Sequence, residues 1–272
     1  MCRWLAYAGA PIFLDELIFK AKHSLVDQSK DSKLGELPMN GDGFGVGWYG
    51  GRDRPGVFHD TQPAWNDRNL HEIASQIEAP VFLAHIRATT GTAVQQTNCH
   101  PFRHGNWLFM HNGVIRDFDV IRRELVLAVD PDLFTCIEGT TDTEVLFYLA
   151  LTFGLTEDPH GAVAKMAGLV EAVGREAGIK DPLMMTLGIS DGERLYAVRY
   201  SSEADSRTLF YSKDMLALKQ LHPSIDRFSD DARVIVSEPL SGVDDWVPID
   251  EGTWIVVDGG HVETRAFAPA AP

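Results

Sequence analysis

The hydrophobic pattern opens with a short apolar and aromatic run, residues 2–9, that reads as a buried strand leading into Pro11. Leu17, Ile18 and Ala21 recur at helical spacing and predict a short amphipathic helix over 15–22, and the polar stretch 23–40 then predicts a surface loop. Gly41, Gly43, Gly45 and Gly47 fall at every second position of a strand ending in Trp48-Tyr49, which predicts another segment packed close over that backbone. The glycines are expected to wall the space beside the N-terminus. They do not open a helix, so they make no dinucleotide-binding turn. Helices are predicted over 65–77, 118–129, 140–153 and 160–177. Strands are predicted over 81–86 and 107–110, the second turned back by residues 111–115. The clearest helix is 140–153: Thr141-Asp142-Thr143-Glu144 has capping-box form, and Val145, Leu146, Leu149 and Phe153 line one face. From 183 onward the pattern becomes strands, over 184–189, 195–200, 208–211, 233–236 and 253–257, with turn signals at Asp191-Gly192 and Asp258-Gly259-Gly260. Residues 266–272 read as a frayed tail. No repeat or composition break interrupts the pattern, so residues 1–272 are expected to form one domain.

Charge narrows the partners. The 272 residues carry a formal net charge of -15, which argues against nucleic acid and anionic membrane surfaces and leaves small-molecule substrates open. Cys2, Cys99 and Cys136 are an odd, widely spaced set with no disulfide framework, and point to a reducing compartment. With no signal-peptide pattern and no long apolar run, the chain is expected to be soluble and cytoplasmic.

Five features carry candidate chemistry, each with a plainer reading beside it. Cys2 becomes the first residue if the initiator methionine is removed. It then joins a thiol of pKa roughly 8.5 to an α-amine of pKa roughly 7.7–8.0, a nucleophile and base on one residue; the plainer reading is a chance cysteine. Arg87 emerges from the apolar run 81–86 and needs an anion, either a structural carboxylate or a substrate carboxylate held by a bidentate clamp. Asn112-Gly113 is either a hairpin turn or a pair of N–H donors for an oxyanion. Asp142 sits in the first turn of its helix, where the macrodipole favours a carboxylate; it is either an ordinary first-turn acid or the partner of a substrate ammonium. His100 is a pocket wall or a satisfied loop histidine. With Cys99 and His104 it lacks both the fourth ligand and the spacing of a zinc site, so no metal is expected.

Met1-Cys2, His85-Ile86-Arg87, Asn98-Cys99-His100-Pro101, His111-Asn112-Gly113 and Thr141-Asp142-Thr143-Glu144, in that order, resemble the class II glutamine amidotransferases, an N-terminal-nucleophile family. The resemblance implies an α+β fold, a four-layer αββα sandwich. It implies Cys2 as the nucleophile with its own amine as base, and Asn112 and Gly113 as the oxyanion hole. Arg87 would grip the α-carboxylate of a glutamyl group, Asp142 its α-ammonium, and His100 would lie near the substrate; no cofactor is implied. Ala88-Thr89-Thr90-Gly91 lacks the tryptophan that the large synthases carry after this arginine, and the chain ends about where a glutaminase domain should. It is similar to the stand-alone branch that cleaves γ-glutamyl amides in glutathione breakdown and ergothioneine synthesis, with water as final acceptor. The expected activity is therefore cleavage of the γ-amide of glutamine or a γ-glutamyl compound through a γ-glutamyl thioester. Two other outcomes follow from the same residues: a glutaminase subunit working with a separate synthase or peptidase subunit, and a non-catalytic glutamine sensor that keeps Met1.

Overall fold

Along the first strand, β1 (Arg3–Phe13), side chains alternate between two different cores, and that alternation sets the layering. The computed structural model describes residues 2–34, 39–89, 91–214, 218–219 and 228–272. Leu5 and Tyr7 face a core shared with Leu17, Leu25 and Leu70, which come from helices α1 (Asp15–Ile18), α2 (Leu25–Lys30) and α3 (Arg68–Gln76). Trp4 and Ala6 face the other way. They meet Leu83, Leu108, Met110, Ala197 and Ile255, which belong to strands of both sheets. A third core, built on Phe109, Phe147, Val163, Leu187 and Trp254, lies between the second sheet and the later helices.

The first sheet contains β1, β2 (Phe44–Tyr49), β3 (Gly56–Asp60) and β4 (Glu78–Ile86). It is completed by β9 (Phe210–Ser212), β10 (Arg233–Val236) and β11 (Trp246–Pro248). The second contains β5 (Phe102–His104), β6 (Trp107–Ile115), β7 (Leu183–Ser190), β8 (Leu195–Ser201), β12 (Thr253–Asp258) and β13 (His261–Ala266). Among the described residues the orders are β11-β9-β10-β1-β4-β2-β3 and β13-β12-β8-β7-β6-β5. Helices α4 (Phe118–Leu127), α5 (Pro131–Phe134), α6 (Asp142–Thr152) and α7 (Pro159–Glu176) connect β6 to β7 and cover the second sheet. The layers run α, β, β, α, the sandwich that the sequence motifs imply.

Several local expectations change. Residues 23–34 are not a plain loop: Ser24 and Asp27 form a reciprocal capping box that starts α2, and its Gln28 and Ser29 are buried. Residues 35–38 of that predicted loop lie outside the described residues. The helix expected over 15–22 ends at Ile18. Residues 111–115 do not turn; β6 runs straight through Asn112-Gly113, and the chain reverses only at Asp117, whose φ is 51°. Gly113 is there for closeness, since a Cβ would stand 2.0 Å from the Met184 carbonyl oxygen. The glycines of β2 are closely overlaid as expected, but by His100-Pro101: a Cβ on Gly45 would lie 2.2 Å from the His100 carbonyl oxygen. They back the site and do not line it. The tail is docked, with Phe267 buried and Ala270 N donating to Ala164 O at 2.9 Å against α7.

A hydroxyl ties the two sheets together behind the N-terminus. Trp4 Nε1 donates to Thr186 Oγ1 at 3.3 Å, and Thr186 Oγ1 donates to the Asn112 carbonyl at 3.0 Å. Thr186→Val keeps the shape but leaves the Trp4 indole N–H unpaired in the core and removes the side-chain bond to the Asn112 carbonyl, and is expected to cost ~1–3 kcal/mol. Urea unfolding reads this as a lower midpoint at unchanged slope; an unchanged midpoint would show that the bridge contributes nothing.

Candidate active site

Three chain segments bring chemistry to one cleft: the residue before β1, the end of β4 with the loop after it, and the end of β6 facing the start of α6. The cleft has a volume of about 390 Å³ and is lined by Cys2, Arg87, His100, Gly113 and Asp142 among others. Hollows of about 540 and 580 Å³ lie elsewhere, and neither contains Cys2.

Cys2 is held at its sulfur. The Ala88 N–H donates to Sγ at 3.4 Å, and the thiol donates to the Ala88 carbonyl at 3.6 Å. Burial pushes the thiol pKa up, opposed by the Ala88 N–H and by the Arg87 and Arg3 guanidinium charges. The thiol is therefore protonated at rest, with one donor placed to hold the thiolate.

Arg87 is buried, and no carboxylate lies within 4 Å of it among the described residues. Its Nη1 donates to the Asp42 carbonyl at 3.3 Å, and Nη2 donates to the hydroxyls of Thr89 (3.3 Å) and Thr92. Those neutral acceptors orient the fork without cancelling its charge, so no structural ion pair of Arg87 is seen among the described residues. Asp42 also accepts the Thr89 N–H at 2.8 Å, which folds the loop around the guanidinium.

Asp142 is the first residue of α6. Thr141 caps the helix by accepting the Glu144 N–H, but the capping box is only half formed. The Glu144 carboxylate reaches back past the cap to the N–H groups of Glu138 and Gly139 at 2.8 and 2.7 Å. Asp142 Oδ2 accepts the Ile115 N–H at 2.9 Å and Oδ1 the Thr143 N–H at 2.7 Å, leaving lone pairs for a ligand cation. Asn98, fully buried, clamps the loops on either side: its Oδ1 accepts the Thr140 N–H at 2.8 Å and its Nδ2 donates to the Ala93 carbonyl at 2.9 Å.

Asn112 Nδ2 is a buried donor with no partner among the described residues. An amide donor left unmade in a core is costly, and it stands on the residue before Gly113, which lines the cleft. Three histidines hold this stretch. His111 Nε2 donates to the Met184 carbonyl at 3.2 Å, so its Nδ1 accepts from the Thr143 hydroxyl at 2.9 Å. His85 Nε2 donates to the His111 carbonyl at 3.2 Å, and His100 Nδ1 accepts the His111 N–H at 3.4 Å. His104 packs edge-on against Tyr148 instead, and no metal-holding group of three or more His, Cys, Asp or Glu side chains occurs among the described residues. Among the described residues no helix is long and apolar enough to cross a membrane.

The sequence reading missed Asp42, Thr89, Thr92, His85 and His111 as site builders. It also missed Glu238, although a lone glutamate one residue beyond the apolar run of β10 resembles the signal that marked Arg87 after β4.

Residues 31–271 match the family model of the class II glutamine amidotransferases. The chain belongs to that family and is an enzyme of the amidohydrolase type. It is 30% identical to the probable glutamine amidotransferase DUG3 of Saccharomyces cerevisiae over 97% of this chain and 81% of the yeast protein. It is 26% identical to the gamma-glutamyl-hercynylcysteine sulfoxide hydrolase of Mycolicibacterium smegmatis over 96% of this chain and 98% of that protein. Among solved structures, a glutamine aminotransferase class-II domain protein from Silicibacter pomeroyi aligns with TM-score 0.76 and 33% identity over 99% of this chain and 100% of that one. The glutamine phosphoribosylpyrophosphate amidotransferase of B. subtilis shares the fold at TM-score 0.64 and 14% identity, over 99% of this chain and 50% of that chain.

Burial lowers the pKa of four histidines, to about 4 for His59, whose ring bonds the Pro101 carbonyl, and about 3 for His85, with His100 and His111 also below their ordinary value. The unfolded chain takes up these protons near pH ~6.5, so below that pH it binds more protons than the folded chain. Stability is expected to fall as pH drops from about 6.5 toward 4 and to be level just above about 7. Urea midpoints across that range check it; equal midpoints at about pH 7.5 and 5.5 would contradict neutral, buried histidines.

Proposed function

We propose that the chain is a γ-glutamyl amidohydrolase whose nucleophile is Cys2, freed as the first residue by removal of Met1, which itself lies outside the described residues. The carrying observation is one cleft that holds a thiol, a buried guanidinium with no carboxylate partner among the described residues and a helix-start carboxylate. The two charges match the α-carboxylate and α-ammonium of a glutamyl group. A substrate lacking either would leave a charge unpaired in the pocket.

In this reading the α-amine of Cys2 takes the thiol proton as sulfur attacks the γ-carbonyl. The Asn112 Nδ2 and the Gly113 N–H receive the developing oxyanion, and His100 walls the substrate. Collapse expels the leaving amine, protonated by the Cys2 ammonium, and a γ-glutamyl thioester remains for water to hydrolyse. The buried, unpartnered Asn112 amide supports its part in this scheme. A γ-glutamyl amide, rather than glutamine alone, is favoured because the M. smegmatis relative is a hydrolase of such a compound. The acceptor is water in this scheme. A separate synthase or peptidase subunit would reveal itself by raising the turnover of the isolated chain.

Intact mass followed by 6-diazo-5-oxo-norleucine tests the nucleophile. The expected result is a chain lacking Met1 with one adduct on Cys2, and Cys2→Ala folds normally without turnover or adduct. A retained Met1 with no adduct would instead favour a glutamine sensor.

Kinetics separate the remaining roles. Asn112→Ala is expected to lower kcat by ~10²–10³-fold. Asp142→Asn should weaken kcat/KM by roughly 10–100-fold, about the loss of one charge-assisted bond, mainly through KM. The opposite pattern, KM rising for Asn112→Ala and kcat falling for Asp142→Asn, would reverse the assignment.

A further inference from the structure

Glu238 follows β10 on the side of β1 away from β4, and it is almost completely enclosed. Its Oε2 accepts from Arg3 Nε at 2.9 Å, from Ser32 Oγ at 2.9 Å and from the Leu34 N–H at 3.1 Å. Its Oε1 accepts from His23 Nε2 at 2.7 Å and from the Lys33 N–H at 2.9 Å. Burial alone would raise its pKa, but these donors and the Arg3 charge bring it down to about 2, so it is ionised at neutral pH. Arg3 is equally buried and spends its fork in two directions. Nε and Nη2 face Glu238 and Ser32, while Nη1 turns back to the Cys2 carbonyl at 2.9 Å.

That last bond has a consequence for a residue at a chain start. Once Met1 is gone, Cys2 is linked to the protein through its carbonyl side alone, and its amine and side chain can swing about the Cα–C bond. The Ala88 backbone holds the sulfur, and Arg3 holds the peptide plane. With both ends fixed, the amine is left in one place relative to the thiol.

We propose that Glu238 and Arg3 are a positioning pair for the nucleophile: Glu238 locks the Arg3 guanidinium so that its Nη1 fixes the Cys2 carbonyl and thereby sets the amine against the thiol. The inference rests on the N-terminal-nucleophile reading above. Neither side chain touches the substrate clamp of Arg87 and Asp142, so the pair acts on the chemical step and not on binding.

The test uses the full chain with Arg3→Lys and Glu238→Gln, titrating reactive Cys2 with 6-diazo-5-oxo-norleucine and expressing kcat per titrated site on a γ-glutamyl amide. Lysine keeps the charge opposite Glu238 but, as a compact ammonium, cannot also brace the Cys2 carbonyl. Both variants are expected to lose roughly 10–100-fold in kcat per site, the scale of an ångström's misplacement, with KM within about twofold of wild type. If Glu238→Gln does not fold, Arg3→Lys decides alone. Wild-type kcat per site in Arg3→Lys, or a KM that rises as kcat falls, overturns the pair and leaves the hydrolase reading standing. A wild-type chain with neither turnover nor adduct overturns both.

Discussion

Arg3 pairs with Ile86 across β1 and β4, and Ile86 pairs on its other side with Phe44 of β2. The residues just beyond these rungs are Cys2, Arg87 and Gly43, so the register of three strands brings the thiol, the guanidinium and the Asp42 loop together. Register is fixed in turn by burial. Trp4 and Ala6 face the space between the sheets while Leu5 and Tyr7 face the outer helices, and a slip of one residue would exchange those faces. The free energy that packs the sandwich therefore also places the Cys2 thiol. Fold stability and site geometry share one constraint.

The same constraint forces polar groups into the interior, and they are held in different ways. His85, His100 and His111 stay neutral and serve as rigid hydrogen-bonding braces around residue 111. Glu238 stays charged because five donors surround it. Arg87 cannot neutralise itself, and among the described residues its side chain donates to a carbonyl and two hydroxyls. A buried cation with no described carboxylate beside it is costly in a protein at rest, and here it coincides with a cleft wall. The net charge of -15 is distributed over the rest of the molecule and does not describe the cleft.

What could be read in the sequence was chemistry at the ends of elements. Arg87 stood out because arginine ends an apolar run, and Asp142 because it opens a capped helix; both readings depend on neighbours a few residues away. What could not be read depended on distant neighbours. Asn112-Gly113 has the composition of a turn, yet it lies mid-strand because the Met184 backbone on β7 passes too close for any side chain at 113. Ser24 to Lys30 looks like polar loop, but Gln28 and Ser29 are turned inward, with Gln28 donating to the Glu238 carbonyl. The tail looks frayed because only Phe267 is bulky, while its anchor is a backbone bond to α7. Glu144 has the spacing of a capping box and reaches two other amides instead, because the loop before the cap folds back over it.

On the proposed mechanism, burial of the Cys2 thiol explains how a reactive group is kept quiet. The elevated thiol pKa makes proton transfer to an α-amine of pKa roughly 7.7–8.0 unfavourable in the empty cleft. The thiolate becomes accessible only when attack on a carbonyl passes the charge onward to the oxyanion donors, and these wait on Asn112 and Gly113. Desolvation thus couples ionisation of the nucleophile to the presence of a correctly placed amide. The placing is the work of Arg87 and Asp142, whose charges recognise the glutamyl end and leave the far side of the scissile bond unspecified. The cleft lining also includes Asp117, Phe118 and Val120 at the start of α4, which are not part of the charge clamp. Tolerance of the leaving group and strictness toward the glutamyl group then follow from one arrangement.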